Sequence, residues 1–259
     1  MKVKLFRVLI LILGIMSLLY AQESNYVQNY ELLFNAVQEQ NSDLVRELVA
    51  NGLDVNTPEG TYGGTALKLA CLMNLKNMAT LLIELGADVN LSAKDGNNPL
   101  LWSSRYAQSS EITQYLIDNG ADINHKNNIE ENALLAFTRV NAGKKKALTT
   151  AEILIQSGID ISSSDSSGKS AIHYAASLGD TLLLKLFLEN SADINARDNH
   201  KNTPLILASQ NGHLDAVSYL LANKANTELR DYLGRGAIYF AEAKKYTQMV
   251  YVLTNKKKD

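Results

Sequence analysis

The chain reads as an all-α solenoid of about seven helix-turn-helix units with β-turn fingers, and three features of the sequence predict that class. A helix-opening position recurs at Thr65, Asn98, Asn132, Ser170, Thr203 and Gly236; subtracting successive numbers gives steps of 33, 34, 38, 33 and 33. A closing turn recurs in the same phase, as Gly52-Leu-Asp-Val-Asn56, Gly86-Ala-Asp-Val-Asn90, Gly120-Ala-Asp-Ile-Asn124, Gly158-Ile-Asp-Ile-Ser162 and Ser191-Ala-Asp-Ile-Asn195, with a worn copy at Lys224-Ala-Asn-Thr-Glu228. Between opening and turn lie a short and a longer apolar stripe, clearest in Ser170 to Ala176 and Leu182 to Leu188. Self-similarity at this period marks units that bury their apolar faces only against their neighbours.

Before the first unit the sequence has a different character. Lys2, Lys4 and Arg7 precede an apolar run from Val8 to Leu19, and Leu19-Tyr20-Ala21 offers a cleavage position. This is the anatomy of a secretory signal segment, and the run falls short of the roughly 20 residues that span a bilayer. Residues 1–21 are therefore expected to direct export, to a periplasmic or secreted location, and to be removed. The alternative is an uncleaved membrane anchor over residues 8–20, the one case in which membrane contact is expected. Residues 22–29 read as a polar leader, 30–255 as the repeat domain and 256–259 as a polar tail.

The first unit carries Leu32, Leu33, Ala36 and Val37, then Leu44, Val45, Leu48 and Val49, at helical spacing. Glu31 stands where later units open, as suits an end cap whose outer face meets water. Thr57 to Gly64 is turn chemistry and forms the first inter-repeat finger, the one that opens the second unit and is numbered with it, with Tyr62 in it. The second unit follows with Leu67, Leu69 and Ala70, then Met78, Leu81, Leu82 and Ile83; Cys71 among them reads as a small buried spacer. In the third, Trp102 takes a position that is aliphatic elsewhere, and Ser103-Ser104 replaces paired alanines. The fourth is the irregular one: its finger, Asn127 to Glu131, has no glycine, and its inter-helix loop is lengthened through Asn141 to Lys146. Lys144 to Lys146 read as a solvated loop. Units five and six are the most regular, and the seventh ends with Met249, Val250, Val252 and Leu253 before the tail.

Laid in register, these segments resemble the ankyrin repeat family. Thr203-Pro204-Leu205, Asn211-Gly212-His213-Leu214, Val217 and Tyr219-Leu220-Leu221 follow that family's pattern closely, and the resemblance covers roughly residues 30 to 255. It implies that His173, in the family's T-P-L-H position, ties backbone groups together. It also implies that Arg105 and Tyr106, at the end of an inner helix, contact a partner on the concave surface.

Whole-chain properties narrow the function. The 25 basic and 27 acidic residues are well mixed and give a net charge of −2, so nothing points to nucleic acid. One cysteine permits no intramolecular disulfide. Gly168-Lys169-Ser170 resembles the tail of a phosphate loop, but the required earlier glycine falls on Ser163, and the motif is in phase with every other finger. His125, His173, His200 and His213 fall in different registers and are not expected to converge on zinc. The aspartates at 54, 88, 122, 160 and 193 supply one acid per unit, too few for calcium, and read as turn residues that bond nearby backbone. No catalytic group, metal, cofactor or small-molecule substrate is expected; a hydrolase hidden in the fourth unit would need Glu130 or Glu131.

What remains is a recognition surface made of finger tips and inner helices. Its candidates are Tyr62, Leu72, Met73, Lys94, Asp95, Arg105, Tyr106, Ile129 and Arg139, with Lys169, His200 and Tyr232 further along. The expected function is non-catalytic binding of another protein by a monomer. The alternative is a structural or protective role for an envelope component or another exported enzyme. Replacing Arg105 and Tyr106 together is expected to weaken a partner by more than about 2 kcal/mol if they are hot spots, with little change in melting temperature.

Overall fold

A computed structural model describes residues 30–58, 63–106, 110–142 and 148–255. The signal segment, the leader, Tyr62, the loop containing Lys144 to Lys146 and the terminal tail lie outside the described residues.

Among the described residues, fourteen helices pair into seven units. They are α1 (30–38) and α2 (Ser42–Ala50); α3 (Ala66–Leu72) and α4 (Lys76–Glu84); α5 (Pro99–Tyr106) and α6 (Ser110–Asp118); α7 (Ala133–Asn141) and α8 (Leu148–Gln156); α9 (Ala171–Ser177) and α10 (Thr181–Glu189); α11 (Pro204–Gln210) and α12 (Leu214–Ala222); and α13 (Ala237–Ala243) and α14 (Thr247–Asn255). The odd-numbered helices from α3 to α13 pack on one another in order, and the even-numbered ones from α4 to α14 do the same. The segments near 98, 132 and 170 thus stack side by side, as the period requires.

The recurring opening positions are helix N-caps. The side chains of Thr65, Asn98, Asn132 and Thr203 accept from the N–H groups of Lys68 (3.2 Å), Leu101 (3.0 Å), Leu135 (3.0 Å) and Ile206 (3.3 Å). Each such cap satisfies a donor that the helix leaves unpaired and is worth about 1 kcal/mol. At Ser170 the device is reciprocal. Its N–H donates to Nδ1 of the buried His173 (3.1 Å), whose Nε2–H donates to the Ala196 carbonyl (3.1 Å). Burial pushes the His173 imidazole below its ordinary pKa, against the opposing pull of the Asp198 charge.

The closing turns do two jobs. The aspartate accepts from the N–H two residues on, as Asp54 from Asn56 (2.9 Å) and Asp88 from Asn90 (2.8 Å), which is the local role expected of it. The asparagine reaches the next unit. Asn56 Nδ2 donates to the Gly86 carbonyl (3.0 Å) and its Oδ1 accepts from Asp88 N–H (2.7 Å). Asn90 repeats both bonds with Gly120 (3.0 Å) and Asp122 (2.8 Å), and Asn124 and Asn195 accept from Asp160 (2.8 Å) and Asn226 (2.9 Å). Ser162 holds the asparagine position in the fourth turn, and its hydroxyl turns back to Asp160 (2.6 Å). Among the described residues it makes no bridge to the fifth unit.

Finger tips are joined along the array by backbone bonds: Asn128 N–H to the Asp95 carbonyl (3.2 Å), Ser166 to Ile129 (3.0 Å), Asn199 to Ser167 (3.0 Å) and Tyr232 to His200 (3.0 Å). Each of these tips turns through a left-handed residue. That residue is Gly96, Gly168 or Gly234 where the sequence offers glycine, but Glu130 and Lys201 in the fourth and sixth units, both at φ 60°.

One continuous apolar core fills the space between units, with Leu67, Leu100, Leu134, Phe137 and Phe187 among its fully buried side chains. Cys71 belongs to it, and burial pushes its thiol up to about 12. A thiol so protonated and enclosed is inert, consistent with a packing role.

Candidate interaction surface

The inner helices α3, α5, α7 and α9 pack in succession along one side of the array, the side that the family resemblance makes concave, and side chains from them meet across the units. The centre of the surface is Glu131, at the end of the fourth finger and immediately before the Asn132 cap. Its carboxylate is fully buried. It is nonetheless satisfied on both oxygens: Arg105 pairs with Oε2, Arg139 with Oε1 (2.7 Å), and Asn127 Nδ2 adds a bond to Oε2 (3.2 Å). A buried carboxylate without such partners would cost several kcal/mol.

This arrangement places the two arginines next to aromatic rings. Arg105 lies 5.7 Å from the ring centroid of Trp102, which Lys68 approaches at 4.7 Å. On the other side Arg139 lies 5.7 Å from the ring of Tyr174, with Lys169 at 5.9 Å. The strip therefore runs Lys68, Trp102, Arg105, Arg139, Tyr174, Lys169, with each ring between two cations in cation–π range and the two arginines joined through Glu131. At the helix position held by Trp102 and Tyr174 in the third and fifth units, the fourth unit carries the small, buried Ala136.

Charge and hydrogen bonding lock the strip. Partial burial would lower the Arg139 pKa, but its bond to Glu131 and the adjacent negative charge outweigh this and raise it. Burial pushes the Tyr174 phenol up to about 12, reinforced by its hydrogen bond to Asp165 and by that residue's charge. Burial opposes ionisation of Asp165, yet bonds from the Ser167 hydroxyl, the Tyr174 hydroxyl and the N–H groups of Lys169 and Ser167 hold its carboxyl below the usual range.

The residues singled out from sequence are distributed as follows. Leu72 and Met73 end α3 with exposures of 39% and 43%, and Ile129 caps the fourth finger at 45%. Lys94 and Asp95 are exposed in the third finger, where the Asp95 carboxylate accepts from Asn97 N–H (3.0 Å) and Nδ2 (2.6 Å) and so shapes its own turn. Tyr106 belongs to α5, but its side chain lies outside the described residues, as does all of Tyr62. Arg105 and Arg139, 34 positions apart by subtraction, are brought together by Glu131. Arg105 is only 18% exposed and pairs with a fully buried carboxylate, a geometry that predicts a cost in stability as well as in binding when it is replaced. His200 and Tyr232 form a separate pair at the sixth and seventh fingers, with ring centroids 5.4 Å apart.

Sequence reasoning did not place Lys68, Glu131 or Tyr174 in the surface. Their signal was available: arginine recurs at the same position of two successive inner helices, with an acid just before the cap of the second.

The histidines are occupied elsewhere. His125 lies 2.7 Å from the Gly96 carbonyl and 3.2 Å from Ser92 Oγ, and His213 lies 3.0 Å from the Ser177 carbonyl. Among the described residues no cluster of His, Cys, Asp and Glu could hold a metal ion, and no helix is long and apolar enough to cross a membrane. On the outer helices, a groove of about 440 Å³ whose lining includes Arg46, Lys76, Glu84 and Tyr115 holds exposed ion pairs, Arg46 with Glu84 (3.8 Å) and Lys76 with Glu111 (2.7 Å).

Comparison with known proteins agrees with the stacking. A family model for ankyrin repeats (3 copies) matches residues 13–93, 33–127 and 140–231. Similar proteins include human transient receptor potential cation channel subfamily A member 1, 30% identical over 235 residues, which cover 77% of this chain and 21% of the channel. Zebrafish neurogenic locus notch homolog protein 1 is 28% identical over 66% of this chain and 7% of its own length. Palmitoyltransferase AKR1 of Lachancea kluyveri is 27% identical over 74% of this chain and 26% of its own length. The chain thus spans about a quarter or less of each of these relatives, and what they share with it is the repeat array. With the seven helix pairs stacked in phase and the family model matched over most of its length, the chain belongs to the ankyrin repeat family.

Proposed function

We propose that this chain is a non-catalytic module that binds another protein through its concave face and finger tips. Ankyrin repeats in general are protein–protein interaction modules. The observation that carries the reading is the row of aromatic and guanidinium side chains on successive inner helices, flanked by the exposed Leu72, Met73 and Ile129. Aromatic residues and arginine dominate the energetics of protein interfaces. The protein acts as a monomer, after export directed by the basic and apolar residues 2–21, whose removal leaves a mature chain starting at Gln22.

A photo-crosslinking residue placed at Leu72, on the concave side, and another at Asn77, on the convex side, test the proposal in the exported fraction. One stoichiometric adduct from position 72 and none from 77 is the expected result. Equal adducts from both positions, or many weak ones, would favour the protective role instead. N-terminal sequencing of the same sample checks removal of the first 21 residues; a chain that retains them would favour the anchor.

A further inference from the structure

The concave strip also has a sign. It carries four cations, Lys68, Arg105, Arg139 and Lys169, against two carboxylates, Glu131 and Asp165. Both carboxylates are consumed internally. Glu131 is buried between the arginines, and Asp165 accepts from the Tyr174 hydroxyl and from the N–H groups of Ser167 (2.8 Å) and Lys169 (3.1 Å). The cations are less fully used: the Arg139 side chain remains 41% exposed with one nitrogen on Glu131, so part of its planar fork faces solvent. Its position is fixed by the buried carboxylate beneath it and the Tyr174 ring beside it, so little side-chain freedom is left to lose on binding. This local excess of two positive charges stands in a chain whose net charge is −2.

We propose that the strip from Lys68 to Lys169 receives an extended acidic segment of a partner protein. Its carboxylates meet the open edge of Arg139 and the two flanking ammonium groups, and its backbone lies between the Trp102 and Tyr174 rings. A basic segment would face four cations with no free carboxylate to answer it. A purely apolar one would have to desolvate them without compensation. The inference rests on the interaction-module reading and adds the chemistry of the partner.

Selection of random peptides displayed on phage against the immobilised full chain, followed by fluorescence anisotropy on the enriched peptides, tests it. The expected result is enrichment of sequences rich in Asp and Glu. Their affinity should fall on the order of tenfold in the Lys68→Glu/Lys169→Glu variant and as salt rises from about 50 to about 200 mM. The same charge change on the convex face, Arg46→Glu/Lys76→Glu, should leave binding within about twofold, since exposed pairs there contribute little. Enriched peptides without acidic residues would overturn the acidic partner while leaving the interaction module standing, whereas no enrichment at all would count against both. Equal weakening by the concave and convex variants, or competition by inorganic phosphate beyond that of chloride at equal ionic strength, would also overturn the proposal.

Discussion

Replacing Arg105 with alanine removes one of two cations from a carboxylate that has no access to water. Glu131 is fully buried and keeps Arg139 at 2.7 Å and Asn127 at 3.2 Å after the substitution. Breaking a buried pair outright costs about 3–5 kcal/mol. With half of the pairing retained, the loss should be about 2 kcal/mol, or a fall of about 4–8 °C in melting temperature for a domain of this size. Arg139→Ala should cost less, because its side chain is 41% exposed against 18% for Arg105 and water can replace part of it. Urea unfolding should be followed both by far-UV circular dichroism and by the fluorescence of Trp102. The chain has one tryptophan, and it lies 5.7 Å from Arg105, so its emission reports this junction. Non-coincident transitions would reveal unravelling in stages, for which repeat arrays are prone. An Arg105→Ala protein with the wild-type midpoint by both probes would refute the view that Glu131 depends on its arginines.

Two further outcomes follow from the same geometry. Ser162→Asn should restore the missing bridge between the fourth and fifth turns and raise stability by about 1 kcal/mol, the order expected of two partly exposed hydrogen bonds; an unchanged urea midpoint would show that the fifth turn is out of reach. Stability should fall as pH drops from 7 toward 5.5. The folded His173 pKa is depressed, so around the unfolded value of about 6.5 the unfolded chain binds the extra proton. His173→Gln should flatten that slope, and a slope unchanged by the substitution would assign it to other groups.

The fold was legible because it is written in local terms repeated many times. A cap residue such as Thr65 or Asn132 and a turn such as Gly86-Ala-Asp-Val-Asn90 each specify their own few residues, and their phase gives the stacking. The cross-unit roles were not legible in the same way. Asn56 looks like a turn residue in sequence, yet its amide bonds Gly86 and Asp88, 30 and 32 positions further on, in the closing turn of the next unit. Glu131 looks like a finger-loop acid, and only the register of two neighbouring units reveals it as a buried anchor for Arg105 and Arg139. Trp102 was visible as an anomaly, but its meaning depends on Lys68 one unit before and Arg105 one turn after. Pairwise contacts between distant positions carry the candidate surface, and single positions carry the fold.

The junction between the fourth and fifth units is held unevenly. Toward the concave side Arg139 reaches Tyr174, and at the finger tips Ser166 bonds Ile129, while the closing turns at Ser162 and Asp193 are left without the rung that ties the earlier ones. A stack pinned along one margin and loose along the other opens like a fan. Bending of the whole array would therefore concentrate at this joint, spreading the closing turns while the fingers stay zipped, and would alter the grip of the two halves on whatever lies between them.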